Sequence, residues 1–300
     1  MENIKDDQLK AIIDIGSLRV KLTVFNTQTL DVISNKSYLT LLGKNMSEDG
    51  VFNEESLSKL DEALGSIKEE FASLNCFDVK LIGTESLRIA KNTEEVYQIV
   101  EKHFPGHDVT ILDQDIEGEM FFKAVSRCFN NQEIAVMDIG GGSVQILNGA
   151  QHSILNKHLY KTGTYALWQK YSPVPSSVNT GYSKALDEIK EVFNSLSIRS
   201  DVLIFGSTCM QDFLNESGIS LYNDRPIRKH PLYTTVEDLK DLLSKILQFA
   251  PDDRGHFYPS GDSFVYGADY LLMNVIETAE RMGAKYIYPT NMNSSYGFVD

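Results

Sequence analysis

Two short acidic turns of similar sequence stand about half a chain apart. Asp14 opens the run Asp-Ile-Gly-Ser and Asp138 opens the run Asp-Ile-Gly-Gly-Gly-Ser, each at the end of an apolar run typical of a buried strand. A carboxylate at a strand end can hold Mg²⁺ directly or through water. Glycines allow the backbone to turn sharply and to approach an anion with successive N–H groups. The pattern therefore predicts two phosphate-binding loops, at which Asp14 and Asp138 organise a metal ion.

Several residues of these turns are expected to cradle phosphate through backbone and hydroxyl groups. They are Gly16 and Ser17 in the first turn, and Gly140, Gly141, Gly142 and Ser143 in the second. The alternative is a tight hairpin with a capping aspartate, which a lone triple glycine would favour. The same acidic turn at two symmetric positions favours the phosphate role, because a chain that merely needed a turn would not need it twice.

The segments around the two turns repeat the same order of strands. Strand patterns are predicted at residues 11–15, 20–26 and 29–39 in the first half, and at 134–140, 143–147 and 150–160 in the second. Asn148-Gly149 is predicted to be the two-residue turn of a hairpin. An internal repeat of this length indicates a duplicated architecture.

The remaining segments alternate between strand and helix patterns. Strands are predicted at 77–85, 107–112, 201–208 and 286–290, and helices from about residue 54 and at 93–104, 116–128, 177–196, 236–249 and 262–282. The helix after Asn53 has an N-cap residue and an apolar stripe through Leu60. Polar residues 129–133 are predicted to join two α/β domains, domain I at 1–127 and domain II at 128–300.

Composition and charge narrow the class of protein. The chain has 300 residues and a formal net charge of −14, which disfavours nucleic acid and long polyanions. Its three scattered cysteines suit a reducing cytoplasm. The N-terminal residues lack a secretory signal pattern, and no apolar run approaches the roughly 20 residues of a membrane span. We expect a cytoplasmic protein without nucleic-acid or membrane partners, in which phosphate binding relies on backbone N–H groups, a few cations and a metal.

The motifs resemble those of the exopolyphosphatase/guanosine pentaphosphate phosphohydrolase (Ppx/GppA) family, within the actin/Hsp70/sugar-kinase superfold. The matching pieces span essentially the whole chain: residues 11–17, 42–57, 83–92, 111–121, 138–143, 162–167 and 205–208, and the terminal SSYGFVD. The resemblance implies two actin-like (ribonuclease H-like) α/β domains with a central cleft. It implies a Mg²⁺-dependent hydrolase of terminal phosphoanhydride bonds in inorganic polyphosphate or pppGpp, and a homodimer is the expected assembly.

The resemblance also implies roles for charged residues. Register with the acidic segment of the family places Glu117 at the catalytic position, where a carboxylate orients and deprotonates the attacking water. From the residues alone, a first-turn glutamate that favours a helix N-terminus is an equally good interpretation of Glu117. Arg88 is expected to clamp phosphate oxygens, the alternative being a surface ion pair. Lys21 is expected to neutralise phosphate charge.

Three departures from the family pattern predict slow or altered turnover. Leu18 and Arg19 replace an Asn-Ser pair and Lys21 replaces an arginine, which weakens the grip on phosphate; Arg19 is a candidate replacement cation. Gln145 stands where the family has a glutamate, and it cannot accept a proton. Ile116 stands where a further acidic residue is usual. The alternative function is a non-catalytic nucleotide- or phosphate-binding sensor of the same fold. A kinase of the superfold ranks last, because no acceptor pocket is recognisable.

Overall fold

The computed structural model describes residues 9–74, 78–129, 132–151, 153–171, 178–206, 209–249, 257 and 267–299. Within these ranges the chain forms two five-stranded β-sheets with helices. Predicted features at Cys76, residues 130–131, Ser207-Thr208 and residues 262–266 lie outside the described residues. Among the described helices, none combines the length and the apolar character that crossing a membrane requires.

Five strands build the first sheet: β1 (Leu9–Ile15), β2 (Arg19–Asn26), β3 (Val32–Leu39), β4 (Asp78–Gly83) and β5 (Val109–Ile111). They lie in the order β3-β2-β1-β4-β5, with β2 antiparallel to both neighbours and β1, β4 and β5 parallel to one another. The helices of this part of the chain are α1 (Glu54–Ser73), α2 (Glu85–Ile89), α3 (Thr93–His103) and α4 (Gln114–Ser126). The antiparallel strands need only short turns, whereas parallel strands need longer crossovers.

The second sheet contains β6 (Ile134–Ile139), β7 (Val144–Ala150), β8 (Ser153–Tyr160), β9 (Val202–Gly206) and β10 (Tyr286–Thr290). Its described helices are α5 (Thr164–Tyr171), α6 (Val178–Val192), α7 (Met210–Glu216), α8 (Val236–Ile246) and α9 (Ala268–Met282), and 3₁₀ turns cover Phe193–Ser195 and Ser294–Phe298. The strand order is β8-β7-β6-β9-β10.

The two sheets share one topology. The order β8-β7-β6-β9-β10 matches β3-β2-β1-β4-β5 strand for strand, with the same parallel and antiparallel pairs. Asp14 lies opposite Lys21, and Asp138 lies opposite Gln145, at the same interval along the chain. The predicted duplicated α/β fold is confirmed.

Asn148-Gly149 is not a hairpin turn, and this prediction is wrong. Both residues lie inside β7, where they form a β-bulge with β8 that recurs at the equivalent place in the first sheet. Gly149 serves close packing, because a Cβ there would lie 2.0 Å from the carbonyl oxygen of Ser153. The chain reverses later, where Gln151 has φ +52. Pairing with β8 over the whole length of β7 overrides the local preference of the dipeptide.

Helix α1 begins as predicted and packs its apolar stripe into the core of the first sheet. The Asn53 side chain accepts a hydrogen bond from the N–H of Ser56 at 2.9 Å and so caps the helix. Leu60 and Leu64 are fully buried, in one cluster with Ile13 of β1. This packing fixes the strand that carries Asp14 against the helix layer.

Contacts divide the chain into two compact units, Met1–Glu117 with Ser295–Asp300, and Gly118–Ser294. The division falls inside α4, whereas the predicted domain boundary follows that helix. The C-terminal turn belongs to the first unit, where the ring centroid of Tyr296 lies 4.8 Å from that of Phe25. The predicted domain boundary itself stays a prediction.

A buried histidine anchors the end of β10 in the second unit. His230 Nδ1 lies 3.2 Å from the carbonyl oxygen of Arg228, and Nε2 lies 2.9 Å from the hydroxyl oxygen of Thr290. A neutral ring satisfies both contacts, donating at Nδ1 and accepting at Nε2. Burial favours that neutral form and lowers the pKa of His230 to about 4.

Acid is expected to destabilise the fold through His230. The unfolded chain protonates this residue near pH 6.5 and the folded chain only near pH 4. Its contribution to stability is therefore full above pH 6.5 and is lost as the pH falls toward 4. The loss is about 3 kcal/mol, from about 1.4 kcal/mol per pKa unit. Urea unfolding of wild type and His230→Gln between pH 7 and 4 should show a shallower pH dependence in the variant. Equal slopes, or the same flattening in the exposed control His107→Gln, would contradict the assignment.

Candidate functional site

The first acidic turn, between β1 and β2, has its carbonyl groups bound by a later segment. The N–H of Gly16 donates to the carbonyl of Arg19 at 2.9 Å and closes the turn. In segment 40–43, the N–H of Gly43 donates to the carbonyl of Ser17 at 2.6 Å. Two further N–H groups of that segment, at residues 40 and 41, donate to the carbonyl of Leu18 at 3.0 Å each. These contacts direct both carbonyls toward segment 40–43.

The second acidic turn, between β6 and β7, is built in the same way. The N–H of Gly140 donates to the carbonyl of Ser143 at 2.9 Å. The carbonyls of Gly140, Gly141 and Gly142 accept hydrogen bonds from segment 163–166, at the start of α5, at 2.8 to 3.0 Å. The first N–H groups of α5 are thereby satisfied by the turn.

The bound carbonyls determine what the turns offer to a ligand. A trans peptide directs its C=O and N–H to opposite sides, so each bound carbonyl turns the next N–H away from the later segment. The N–H groups of Gly141, Gly142 and Ser143 have no acceptor among the described residues, and the same holds for Leu18 in the first turn. Successive N–H groups directed to one side form a nest for an anion.

Two glycines allow the later segments to come this close. A Cβ on Gly163 would lie 2.3 Å from the carbonyl group of Gly141. A Cβ on Gly43 would lie 2.7 Å from the Cβ of Ser17. Any other residue would have to displace the turn, and no real Cβ sits at such distances. Sequence reasoning assigned no role to either glycine, although each lies in a motif that resembles the family.

Asp14 is buried at the end of β1 with one oxygen unpartnered. Its Oδ1 has no hydrogen-bond partner within the described part of the chain. Burial raises the pKa of Asp14, and the charge of Lys21, opposite in β2, lowers it in part. An unpaired buried carboxylate oxygen is costly unless a cation or a donor binds it. The position therefore fits Mg²⁺, which takes oxygen ligands.

Asp138 is buried at the matching position of the second sheet. In the described ranges, no group of three or more histidine, cysteine, aspartate or glutamate side chains is arranged to hold a metal. Mg²⁺ usually keeps several waters and needs only one or two carboxylates, so few protein ligands are compatible with this ion.

Glu117, in the first turn of α4, forms an ion pair with Arg88 of α2. Arg88 Nη1 lies 3.3 Å from Glu117 Oε2 and also donates to the carbonyl of Leu112, which follows β5. Burial raises the pKa of Glu117 to about 7; the charge of Arg88 opposes this shift, and the charges of Asp14 and Glu85 add to it. A carboxyl group that exchanges its proton near neutral pH is suited to general base catalysis.

The elements explain why these groups meet. Helix α2 follows β4 directly, and α4 begins shortly after β5. Because β1, β4 and β5 are parallel, their carboxyl ends lie at one edge of the sheet. Ligands of open α/β sheets bind at this edge.

The predicted site residues divide between the two units. The first unit holds Asp14, Gly16, Ser17, Arg19, Lys21, Arg88 and Glu117, and the second holds Asp138, Gly140, Gly141, Gly142, Ser143 and Gln145. Arg19 Nη1 lies 3.3 Å from the hydroxyl of Ser37, at the surface. Sequence reasoning missed Glu85, whose one signal is its place a helical turn before Arg88.

Known proteins that are similar to this chain include phosphatases. A model of the Ppx/GppA phosphatase family matches residues 23–258. The chain is 23% identical to a guanosine-5'-triphosphate,3'-diphosphate pyrophosphatase of Pseudoalteromonas translucida, over 84% of this chain and 52% of that protein. It is also 23% identical to exopolyphosphatase 1 of Mycobacterium leprae, over 81% of this chain and 74% of that protein. The chain spans about half the length of the first relative.

Solved structures share the fold. The crystal structure of a Ppx/GppA family member from Aquifex aeolicus superposes with a TM-score of 0.79 at 21% identity, covering 97% of this chain and 95% of that one. An exopolyphosphatase from Cytophaga hutchinsonii gives 0.78 at 17% identity, with 97% and 96% covered. At this level of identity the likeness concerns the fold.

The charges around Glu117 predict opposite effects of two substitutions. Arg88→Met removes the charge that opposes the shift, so the pKa of Glu117 should rise above about 7. Glu85→Gln removes a charge that adds to the shift, so the pKa should fall. Carbon-13 NMR titration of the side-chain carboxyl in the metal-free protein measures both. Glu94→Gln, an exposed control, should leave the titration unchanged. Shifts of the same sign in both variants would contradict this account.

Because Gly163 allows segment 163–166 to approach the second turn, substitution of Gly163 should weaken anion binding. In Gly163→Ala the added Cβ displaces the second turn, so binding of inorganic tripolyphosphate, measured by calorimetry, should weaken by about tenfold or more. Gly218→Ala is the matched control: it places alanine at φ +70 with open space around the Cβ, which costs stability without touching the turn. Wild-type affinity in a folded Gly163→Ala protein would overturn the assignment.

Proposed function

Because the chain belongs to the Ppx/GppA phosphatase family, we propose that it hydrolyses terminal phosphoanhydride bonds. Inorganic polyphosphate and pppGpp are the proposed substrates, in line with the names of the two relatives. The observation that carries the proposal is the partly buried Glu117, which is paired with Arg88 and has a pKa of about 7, so that it exchanges a proton near neutral pH.

Glu117 acts as the general base in this proposal. A water molecule attacks the terminal phosphorus, Glu117 takes a proton from it, and the shortened phosphate chain leaves. The partly buried position of Glu117 suits this role, because a carboxylate fully exposed to water would have a pKa too low to take the proton efficiently. Arg88 keeps the carboxylate oriented.

Charge on the substrate is balanced by backbone and side-chain groups. In the second unit, the N–H groups of Gly141, Gly142 and Ser143 bind phosphate oxygens. In the first unit, Leu18 N–H and the Lys21 side chain contribute. These groups attract an anion locally, although the formal net charge of the chain is −14. The donors lie next to a bound phosphate, whereas salt screens the repulsion from distant negative charges.

Asp14 is the proposed Mg²⁺ ligand of the first unit, because its buried Oδ1 has no partner within the described residues. Asp138 holds the equivalent position in the second unit, and its role toward Mg²⁺ stays a prediction. When bound, Mg²⁺ supplies neutralisation of the charge on the phosphate oxygens.

The second candidate function is a sensor that binds nucleotide or phosphate without turnover. The observation that favours it is Gln145, a buried amide that stands opposite Asp138 and cannot accept a proton. The same residue motivates the proposal that a hydrolase of this sequence works slowly. The expected homodimer and cytoplasmic location stay predictions.

Substitution of Glu117 tests the hydrolase directly. Glu117→Gln keeps the size of the side chain and removes the base, so phosphate release from polyphosphate or pppGpp with Mg²⁺ should fall by about 100-fold or more. In wild type, kcat/KM should decline as the pH falls below about 7, because the base works only when unprotonated.

The control is Glu119→Gln, two residues further along α4, where the carboxylate forms an ion pair with Lys157; it should retain wild-type turnover. If wild type releases no phosphate from polyphosphate, pppGpp or ATP, the hydrolase proposal is wrong. Tight nucleotide binding without turnover would support the sensor instead.

A further inference from the structure

A buried hydrogen bond joins two side chains beside the second turn. Gln145 Nε2 donates to Ser143 Oγ at 3.2 Å. Ser143 directly precedes β7 and Gln145 is the second residue of that strand. Because they are two positions apart in extended backbone, their side chains lie on one face. Gln145 is 1% exposed and Ser143 is 5% exposed, so water competes little for this contact.

The direction of the bond decides what the Ser143 hydroxyl can do. A hydroxyl group has one proton to donate and lone pairs that accept. In the orientation that the Gln145 amide has in this structure, Nε2 faces the hydroxyl and the Ser143 oxygen accepts from it. The Ser143 proton is therefore left for another acceptor, and none of the described residues takes it. The N–H of Ser143 belongs to the anion nest described above. One residue thus offers two donors to a ligand in the second turn.

Helix α4 packs against the Cβ and Cγ of Gln145. A Cβ at Gly118 would lie 3.0 Å from the Cβ and 3.3 Å from the Cγ of Gln145, so the helix backbone covers this side chain. Side chains packed this closely keep one rotamer. The stem of the Gln145 side chain is therefore held on one side while its amide contacts Ser143.

The first unit carries a different group at the same position. Lys21 of β2 lies opposite Asp14, as Gln145 of β7 lies opposite Asp138. Lys21 contributes a positive charge that lowers the pKa of Asp14 in part. Gln145 contributes no charge, and its amide is directed at Ser143. At this position the second turn therefore has a neutral donor where the first turn has a cation.

We propose that Gln145 is a positioning residue that holds the Ser143 hydroxyl as a hydrogen-bond donor to a phosphate oxygen in the second turn. This inference rests on the phosphate binding proposed above. Gln145 acts through Ser143 and does not touch the phosphate. A carboxylate at position 145 could only accept, so it would draw the Ser143 proton away from the ligand and add negative charge opposite Asp138.

A double-mutant cycle tests whether Gln145 acts through Ser143. Binding of inorganic tripolyphosphate is measured by calorimetry in EDTA for the full chain and for Gln145→Met, Ser143→Ala and the double variant. Gln145→Met keeps the side chain neutral and of similar size, and should weaken binding about three- to tenfold. In the Ser143→Ala background the same change should have less than about a twofold effect, because coupled residues are not additive.

Gln145→Glu provides a second variant with an isosteric side chain. It should weaken binding more than Gln145→Met, and circular dichroism and thermal melting show whether each variant is folded. Equal effects of Gln145→Met in both backgrounds would mean that Gln145 does not act through Ser143 and would overturn the inference. Unchanged binding in Gln145→Met, or no binding of tripolyphosphate by wild type, would also overturn it.

Phosphate release by wild type separates this inference from the proposed hydrolase. Coupling between Gln145 and Ser143 without any phosphate release would support the inference and reject hydrolysis. Phosphate release without coupling would support hydrolysis and reject the inference. Either proposal can therefore be rejected while the other is supported.

Discussion

Each acidic turn depends on a later segment that returns to bind its carbonyl groups. Residues 40–43 bind those of the first turn and residues 163–166 bind those of the second. Without these bonds the carbonyl oxygens, which repel phosphate, could face a ligand as easily as the N–H groups. The later segments therefore determine that each turn presents N–H groups, and so a positive electrostatic potential, to a ligand. Glycine at 43 and at 163 is the steric condition for that contact.

The N–H groups of the two turns matter because the side chains of the chain carry a net negative charge. The formal net charge is −14. Of the carboxyl groups nearest the proposed chemistry, Asp14 is buried and Glu117 is partly buried. Burial raises the pKa of both groups. At Glu117, where the pKa is about 7, this limits the negative charge that the group carries near neutral pH. The charge of Arg88 opposes the rise in the pKa of Glu117, which is about 7. In the proposed function, an anionic ligand is attracted by a few placed donors, while the net charge of the chain repels it.

The duplicated topology places different side chains at matching positions of one backbone arrangement. The turn-closing bonds, from Gly16 to Arg19 and from Gly140 to Ser143, are both 2.9 Å long. The residue opposite each strand-end aspartate nevertheless differs, with Lys21 in one sheet and Gln145 in the other. Side chains on the strands can diverge because the backbone path is held by sheet pairing and by the returning segments.

The sequence by itself determined the features that depend on neighbours along the chain. The apolar runs before Asp14 and Asp138, the repeated Asp-Ile-Gly turns and the cap at Asn53 all follow from periodicity, glycine and capping, which are local. The three strand patterns repeated in each half followed from the same periodicity. The short helices α2, α5 and α7 were not predicted, because a few residues form a helix only with support from contacts elsewhere; α5 begins where the second turn binds its first N–H groups.

Only the tertiary structure decided which distant groups meet. Asn148-Gly149 has the composition of a turn, yet pairing with β8 keeps it inside a strand. Arg88 and Glu117 are 29 residues apart in sequence, and they form an ion pair because β4 and β5 are adjacent and parallel. The sequence marked both residues, but their mutual contact and the raised pKa of Glu117 depend on burial. Burial and long-range pairing result from the packing of the whole sheet, and no local pattern encodes them.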